Sequence, residues 1–184
     1  MRYGQIAALL HTLLVLQHSI GGITMSTSEE DRASLLPLSA VAYIKGSAAY
    51  PNIGGTVRFV QTLRGVMVHA DISGLPATAT GFFGFHIHEK KCGRGQGPSP
   101  FADAGGHYNP GNAAHPRHAG DLPNLLATNS GDARLSVLSD RFTLPQIIGR
   151  SVMIHRDPDD YRSQPAGMSG DRIACGDIAL FGRG

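Results

Sequence analysis

Val66-Met67-Val68-His69-Ala70-Asp71-Ile72-Ser73, closed by Gly74-Leu75-Pro76, decides the class of this fold. Side chains of an extended chain alternate with period two, so Val66, Val68, Ala70 and Ile72 share one face while Met67, His69 and Asp71 share the other. The pattern predicts a half-buried strand with His69 toward solvent. Working outward, strand signals run from Ser39 through Ile44 and from Thr56 to Gln61, separated by the turn-rich Gly46 to Gly55. Toward the C-terminus, Phe82 to His88 reads as a strand, and Asn124 to Thr128 with Ala133 to Leu138 flank Asn129-Ser130-Gly131-Asp132 as a hairpin. Ile147 to His155, broken only by Gly149, and Arg172 to Leu180 complete a set of about eight strands. The chain has 24 Gly, 11 Pro and no Trp in 184 residues, a composition for many turns joining short segments, and the expected fold is all-β.

The length suits one domain plus an N-terminal extension. Residues 1–24 read as a signal-like leader: Arg2 gives a positive start, and Ile6 to Ile20 is apolar except for His11, Thr12, Gln17, His18 and Ser19. That run is shorter than the ~20 residues a membrane-spanning helix needs, so no stable span is expected. The leader predicts an extracytoplasmic protein, periplasmic or secreted, whereas translation from Met25 would leave a leaderless cytoplasmic chain. Residues 25–37, with Glu29, Glu30, Asp31 and Arg32, read as a polar spacer, and 38–184 as the folded domain. Charge is sparse, 16% of residues with a net of +2, which offers no polybasic stretch for nucleic acid. Cys92 and Cys175 are the only cysteines; in an exported chain a lone pair forms one disulfide, with two unpaired thiols the alternative. Two stretches lack periodicity, the Gly- and Pro-rich Glu89 to Gly106 and then Arg156 to Asp171, and they read as functional loops.

Six of the nine histidines fall in three clusters, leaving out His11, His18 and His69. His86 and His88 point to one face of their strand, with Phe85 and Ile87 toward the core on the other. Two imidazoles side by side suit a metal, although a solvated strand face explains an H-x-H pair equally well. His107, His115, His118 and Asp121 form a set of three nitrogens and one oxygen that zinc accepts in tetrahedral geometry, against the alternative of a polar loop with chance histidines. His155 ends an apolar strand, where a lone histidine is an ordinary polar terminus, and takes its weight from the other clusters.

Together, Gly84-Phe85-His86-Ile87-His88-Glu89, Gly106-His107-Tyr108-Asn109-Pro110, His118-Ala119-Gly120-Asp121-Leu122, Ile148-Gly149-Arg150 leading to His155, and Arg172-Ile173-Ala174-Cys175-Gly176 resemble the copper/zinc superoxide dismutase family from Ser39 to Gly184. The resemblance implies an eight-stranded Greek-key β-barrel or sandwich with two long functional loops. It implies one copper and one zinc ion per subunit, with His86, His88, His107 and His155 on copper and His107, His115, His118 and Asp121 on zinc. It makes Asp159 the carboxylate linking a copper-side histidine to a zinc-side one, with neighbouring Asp160 as the alternative. Arg172 becomes the anion-attracting arginine, helped by Arg156, and Cys92 with Cys175 the intrasubunit disulfide. The implied reaction is disproportionation of superoxide by Cu(II)/Cu(I) cycling, with His107 taking and delivering protons. Three departures stand out. Only Pro116 and Arg117 separate His115 from His118, the loop from Arg156 to Asp171 has no lysine, and Asp177 replaces the apolar residue many dimeric relatives carry, so a homodimer of that kind is not assured.

Overall fold

The structure, a computed structural model, describes residues 38–93 and 100–181, and the leader and spacer lie outside the described residues. Nine strands appear among the described residues: β1 Ser39–Gly46, β2 Gly54–Thr62, β3 Gly65–Ser73, β4 Phe82–Phe83, β5 Phe85–His88, β6 Leu125–Leu126, β7 Ala133–Ser139, β8 Ser151–His155 and β9 Arg172–Leu180. Seven form one curled antiparallel sheet in the order β5-β8-β9-β1-β2-β3-β7, and β4 pairs with β6 apart from it. The fold is all-β, as the alternation in β3 requires: Val66, Val68, Ala70 and Ile72 are buried, while His69 is exposed beside Ser136 Oγ at 2.8 Å. Those four join Val57 and Phe59 of β2, Phe85 and Ile87 of β5, and Val152 and Ile154 of β8 in a single apolar core.

Two stretches expected as single strands are divided. Gly84 splits Phe82–His88, its N–H donating to Asp157 O at 2.9 Å and its carbonyl accepting from His155 N–H at 2.8 Å. A Cβ on Gly84 would stand 2.8 Å from that of Ser169, so this crossing requires glycine. Ile147 is not the start of a strand but the end of a helical turn, α1 Leu144–Ile147, and β8 begins only at Ser151. The turn is written in Thr143-Leu144-Pro145-Gln146: Gln146 Oε1 reaches back to Thr143 N–H at 2.7 Å, and proline is tolerated in a first helical turn. The hairpin around Gly131 is present, with Thr128 N–H donating to Asp132 O at 2.8 Å and an Ala127–Ala133 bridge beyond it.

β8 explains where the loops go. Val152 and Ile154 face the core, so Ser151, Met153 and His155 face outward, yet all five are buried. Loop residues cover the outward face: Met153 packs with Cys92, Phe101, Ala104 and Cys175. Cys92 and Cys175 are joined as a disulfide that ties the loop after β5 to β9, and Cys92 N–H donates to Asp177 Oδ1 at 2.8 Å.

Candidate metal centre

β5 is an edge strand, and its free edge is closed by the segments that carry the other histidines. Tyr108 N–H donates to Ile87 O at 2.8 Å, Ile87 N–H to Gly120 O at 2.9 Å, and Glu89 N–H to Gly106 O at 3.0 Å. These bonds bring His107 and Asp121 beside His88 and His86 while satisfying an edge that would otherwise be open. Gly120 is required there, because a side chain would overlap Ile87 O. His155 arrives from the end of β8, the neighbour of β5. All six histidines and Asp121 are buried, so the H-x-H face is not a solvated one.

Two groups of donors result, each with its ligand atoms within 4.8 Å of one another: His86, His88, His107 and His155, then His107, His115, His118 and Asp121. His107 belongs to both, because its Nδ1 faces Asp121 Oδ1 at 2.7 Å while its Nε2 has no partner. In the first group, Nδ1–H of His88 donates to Gly105 O at 3.0 Å and that of His155 to Gly170 O at 3.3 Å. With the protons on Nδ1, the Nε2 lone pairs of His88 and His155 confront each other at 3.3 Å. His86 donates from Nε2 to Asp159 at 2.8 Å, leaving its Nδ1 buried and unpartnered. In the second group, Nδ1 of His115 lies 3.1 Å from Asp121 Oδ2 and Nδ1 of His118 lies 3.3 Å from Oδ1, neither aligned as a hydrogen bond. Buried polar atoms are normally satisfied. Apart from His107 Nδ1, which meets Asp121, the ring nitrogens that converge here lack a donor, the arrangement that a cation satisfies, so both groups fit a metal ion.

Asp159 connects the groups, accepting from His86 at Oδ2 and from His115 Nε2 at Oδ1, 2.9 Å away. Asp160, the alternative, is half-buried and accepts from Ser163 N–H at 2.9 Å instead. The backbone of Asp159 is itself gripped: Asn124 Oδ1 accepts from Asp159 N–H and Asn124 Nδ2 donates to its carbonyl, both at 2.9 Å. Nothing in the sequence pattern marks Asn124, whose signal is only its closeness to Asp121. Arg172 donates from its two terminal nitrogens to the carbonyls of Phe101 and Gly105 at 2.6 Å each. Arg156 faces Asp157 at 3.5 Å, which offsets its charge.

Burial is the first cause of the titration behaviour here. It lowers His86 to about 4 and His155 to about 3, and carries His88 well below its ordinary value too. Burial pushes Asp159 up, but N–H donation from His86, Tyr161 and His115 outweighs it and holds the carboxyl at about 2. Folded histidine values below the unfolded 6.5 mean that the unfolded chain binds more protons between these limits. The metal-free protein is thus at full strength above about pH 6.5 and loses stability as pH falls toward 4 and 3. Thermal unfolding of chelator-treated protein should show Tm dropping continuously below about pH 6.5; a flat Tm down to about pH 5 would show that these rings are not held neutral by burial.

The family model described as copper/zinc superoxide dismutase matches residues 53–178. The chain is 39% identical to the Cu-Zn superoxide dismutase 2 of Aquifex aeolicus (strain VF5), over 67% of this chain and 78% of that one. It is 40% identical to the extracellular Cu-Zn superoxide dismutase of Caenorhabditis elegans, over 67% of this chain and 60% of that one. The crystal structure of the clock protein EA4 superposes with a TM-score of 0.66 at 32% identity, covering 79% of this chain and 96% of the other. With its matched span running from before β2 into β9, the chain belongs to the copper/zinc superoxide dismutase family.

Proposed function

We propose that the chain disproportionates two superoxide anions to dioxygen and hydrogen peroxide at this centre, with copper held by His86, His88, His107 and His155 and zinc by His107, His115, His118 and Asp121. Membership of the family makes the protein a superoxide dismutase, an oxidoreductase with a copper and a zinc ion as cofactors. The observation that carries the site assignment is the convergence of unpartnered ring nitrogens, with His107 offering one nitrogen to each side. Copper, when bound, supplies one-electron exchange with superoxide in both directions, and imidazole suits both of its oxidation states. His107 Nε2 is the atom that holds a proton in one half of the cycle and yields it to the product in the other. Gly105 and Gly170 carbonyls fix the tautomers of His88 and His155, and Asp159 does so for His86 and His115. Arg172 is near enough for its charge to lower His88 and His155, so it presents a fixed positive charge to a small anion.

Metal analysis with copper paramagnetic resonance, beside a superoxide-consumption assay, tests this reading. About one copper and one zinc per chain and copper-dependent consumption are expected, with His155→Ala losing activity while still binding zinc. A protein that fills with zinc and refuses copper sinks the reading, and normal turnover by His155→Ala shows the copper set to be wrong.

We also infer an extracytoplasmic site of action, periplasmic or secreted, for a domain of residues 38–184 behind a leader at 1–24 and a spacer at 25–37. The disulfide and the extracellular relative support it. No helix among the described residues is long and apolar enough to cross a membrane. A homodimer formed on the face beside Cys175 would have to cover Asp177, an exposed residue whose carboxylate accepts from Cys92 N–H.

A further inference from the structure

Within the segment that carries His115, His118 and Asp121, the local bonds are three, the first from Arg117 N–H to Ala114 O at 2.9 Å. His118 N–H donates to Asp121 Oδ2 at 3.0 Å and Asp121 N–H to His118 O at 3.3 Å. With only Pro116 and Arg117 between the two histidines, there is no regular element to hold their backbones. Two side chains from elsewhere in the fold do so. Gln164, in the loop between β8 and β9, pairs with the backbone of His115 at two points: His115 N–H donates to Oε1 at 3.1 Å, and Nε2 donates to His115 O at 2.7 Å. Arg141, between β7 and α1, sets Nη1 among three carbonyls of the same segment, Pro116 at 3.1 Å, His118 at 3.4 Å and Asp121 at 3.5 Å.

The chemistry of each contact is matched. An amide side chain offers one acceptor and one donor, which is what a backbone N–H and C=O present together. Three carbonyl oxygens directed at one point repel one another unless a donor carrying positive charge lies between them, and a guanidinium supplies it. Arg141 is anchored in turn, since its N–H donates to Ser139 Oγ at 3.3 Å and the following Phe142 and Leu144 are sunk in the core. Neither residue touches the donor atoms of the two metal groups. What they hold is the backbone from which those atoms project.

We propose that Gln164 and Arg141 are positioning residues that preorganise the zinc-binding segment and thereby set how tightly and how long zinc is retained. The inference rests on the assignment of His107, His115, His118 and Asp121 as the zinc set. A segment already in its ligating conformation loses little freedom when the ion arrives, whereas a loosened one must be ordered by the ion at the cost of affinity. The short spacing between His115 and His118 makes such outside support more consequential, because the segment has little internal bonding to fall back on. Gln164 also comes from the loop that supplies Asp159, so one loop fixes both the ring and the backbone of His115.

The test follows transfer of zinc from the fully metallated protein to a chromophoric chelator, together with the visible spectrum of protein carrying cobalt in place of zinc. Gln164→Ala and Arg141→Ala are each expected to release zinc roughly 10- to 100-fold faster than wild type, the usual size of an outer-partner effect on metal affinity. The double variant should be faster still, with altered cobalt bands. Arg141→Lys should recover part of the loss, since an ammonium restores the charge but not the planar fork. Gln164→Glu keeps the shape yet removes the donor to His115 O, so it should resemble the alanine variant; these two conservative variants carry the comparison should the alanine variants fail to fold. Wild-type zinc release and cobalt spectra in the variants, even with a lowered Tm of the metal-free protein, would overturn the inference while leaving the zinc set standing. Retention of zinc by His118→Ala and Asp121→Ala alike would overturn both.

Discussion

His107→Ala is expected to abolish dismutation and to weaken both metals at once. Loss of an outer partner costs about 10- to 100-fold in affinity or activity, and a residue shared between two donor groups should exceed that range. The geometry gives the reason: Nε2 of His107 is unpartnered on the side of His86, whose ring centroid is 3.9 Å away, while Nδ1 meets Asp121. No other histidine of the six serves both groups. Metal content by mass spectrometry, with a superoxide-consumption assay, checks the outcome. The fold should persist, because Phe85 and Ile87 hold β5 in the core without help from the histidines facing the other way. A His107→Ala protein that keeps wild-type turnover with a full complement of copper and zinc would falsify the shared role.

Replacing Cys92 and Cys175 together with alanine is expected to produce the largest loss of stability. The residues are 83 apart in sequence, and closing so long a loop limits the unfolded chain, for which the chain-entropy model gives roughly 4.5 kcal/mol. At ~2–4 °C per kcal/mol for a domain of this size, Tm should fall by roughly 9–18 °C. Activity should fall as well at temperatures where the fold survives. The loop pinned by Cys92 supplies Phe101 and Gly105, whose carbonyls hold Arg172, and Gly105 also fixes the tautomer of His88. Calorimetry on oxidised wild type and the double variant measures the first effect, and equal Tm values would show that the bond adds nothing. The Asp177 contact to Cys92 N–H survives the substitution, so the loop should loosen without leaving β9 altogether.

How much could be read without coordinates varied by element. β3 was legible nearly in full, because a strand with one face in the core must alternate, and β9 has the expected bounds although Ile173 to Gly176 are buried on both faces. Gly84 escaped notice, since the requirement for glycine there comes from Ser169 and Asp157 pressing on it, residues more than seventy positions away. The helical turn at Leu144 was visible in principle through Thr143 and Gln146, but the apolar run that follows looks like a continuous strand when only hydrophobicity is weighed. For the metal groups, residue type and spacing favoured His107, His115, His118 and Asp121, while His86, His88 and His155 took their weight from the family resemblance, and all seven residues converge. Choosing Asp159 over Asp160 is another matter. A side chain at Gly167 would overlap Asp159 Oδ1, and the full burial of Asp159 beside a half-buried Asp160 is a property of the folded loop.

The division has a simple physical basis. Alternation, turn residues and ligand chemistry are local, so the sequence by itself determined that this chain is all-β and that His107, His115, His118 and Asp121 are of the kinds and spacings zinc accepts, with the remaining histidines drawn in by the family resemblance. Burial and hydrogen-bond direction are set by what lies opposite. His86 and His88 sit on the face of β5 that points away from the core, a face that would be wet in an isolated sheet. Only the tertiary structure, by laying loops over that face, made it dry, assigned His86, His88, His115 and His155 their tautomers through Asp159, Gly105 and Gly170, and brought Asn124, Arg141 and Gln164 to the backbones they hold.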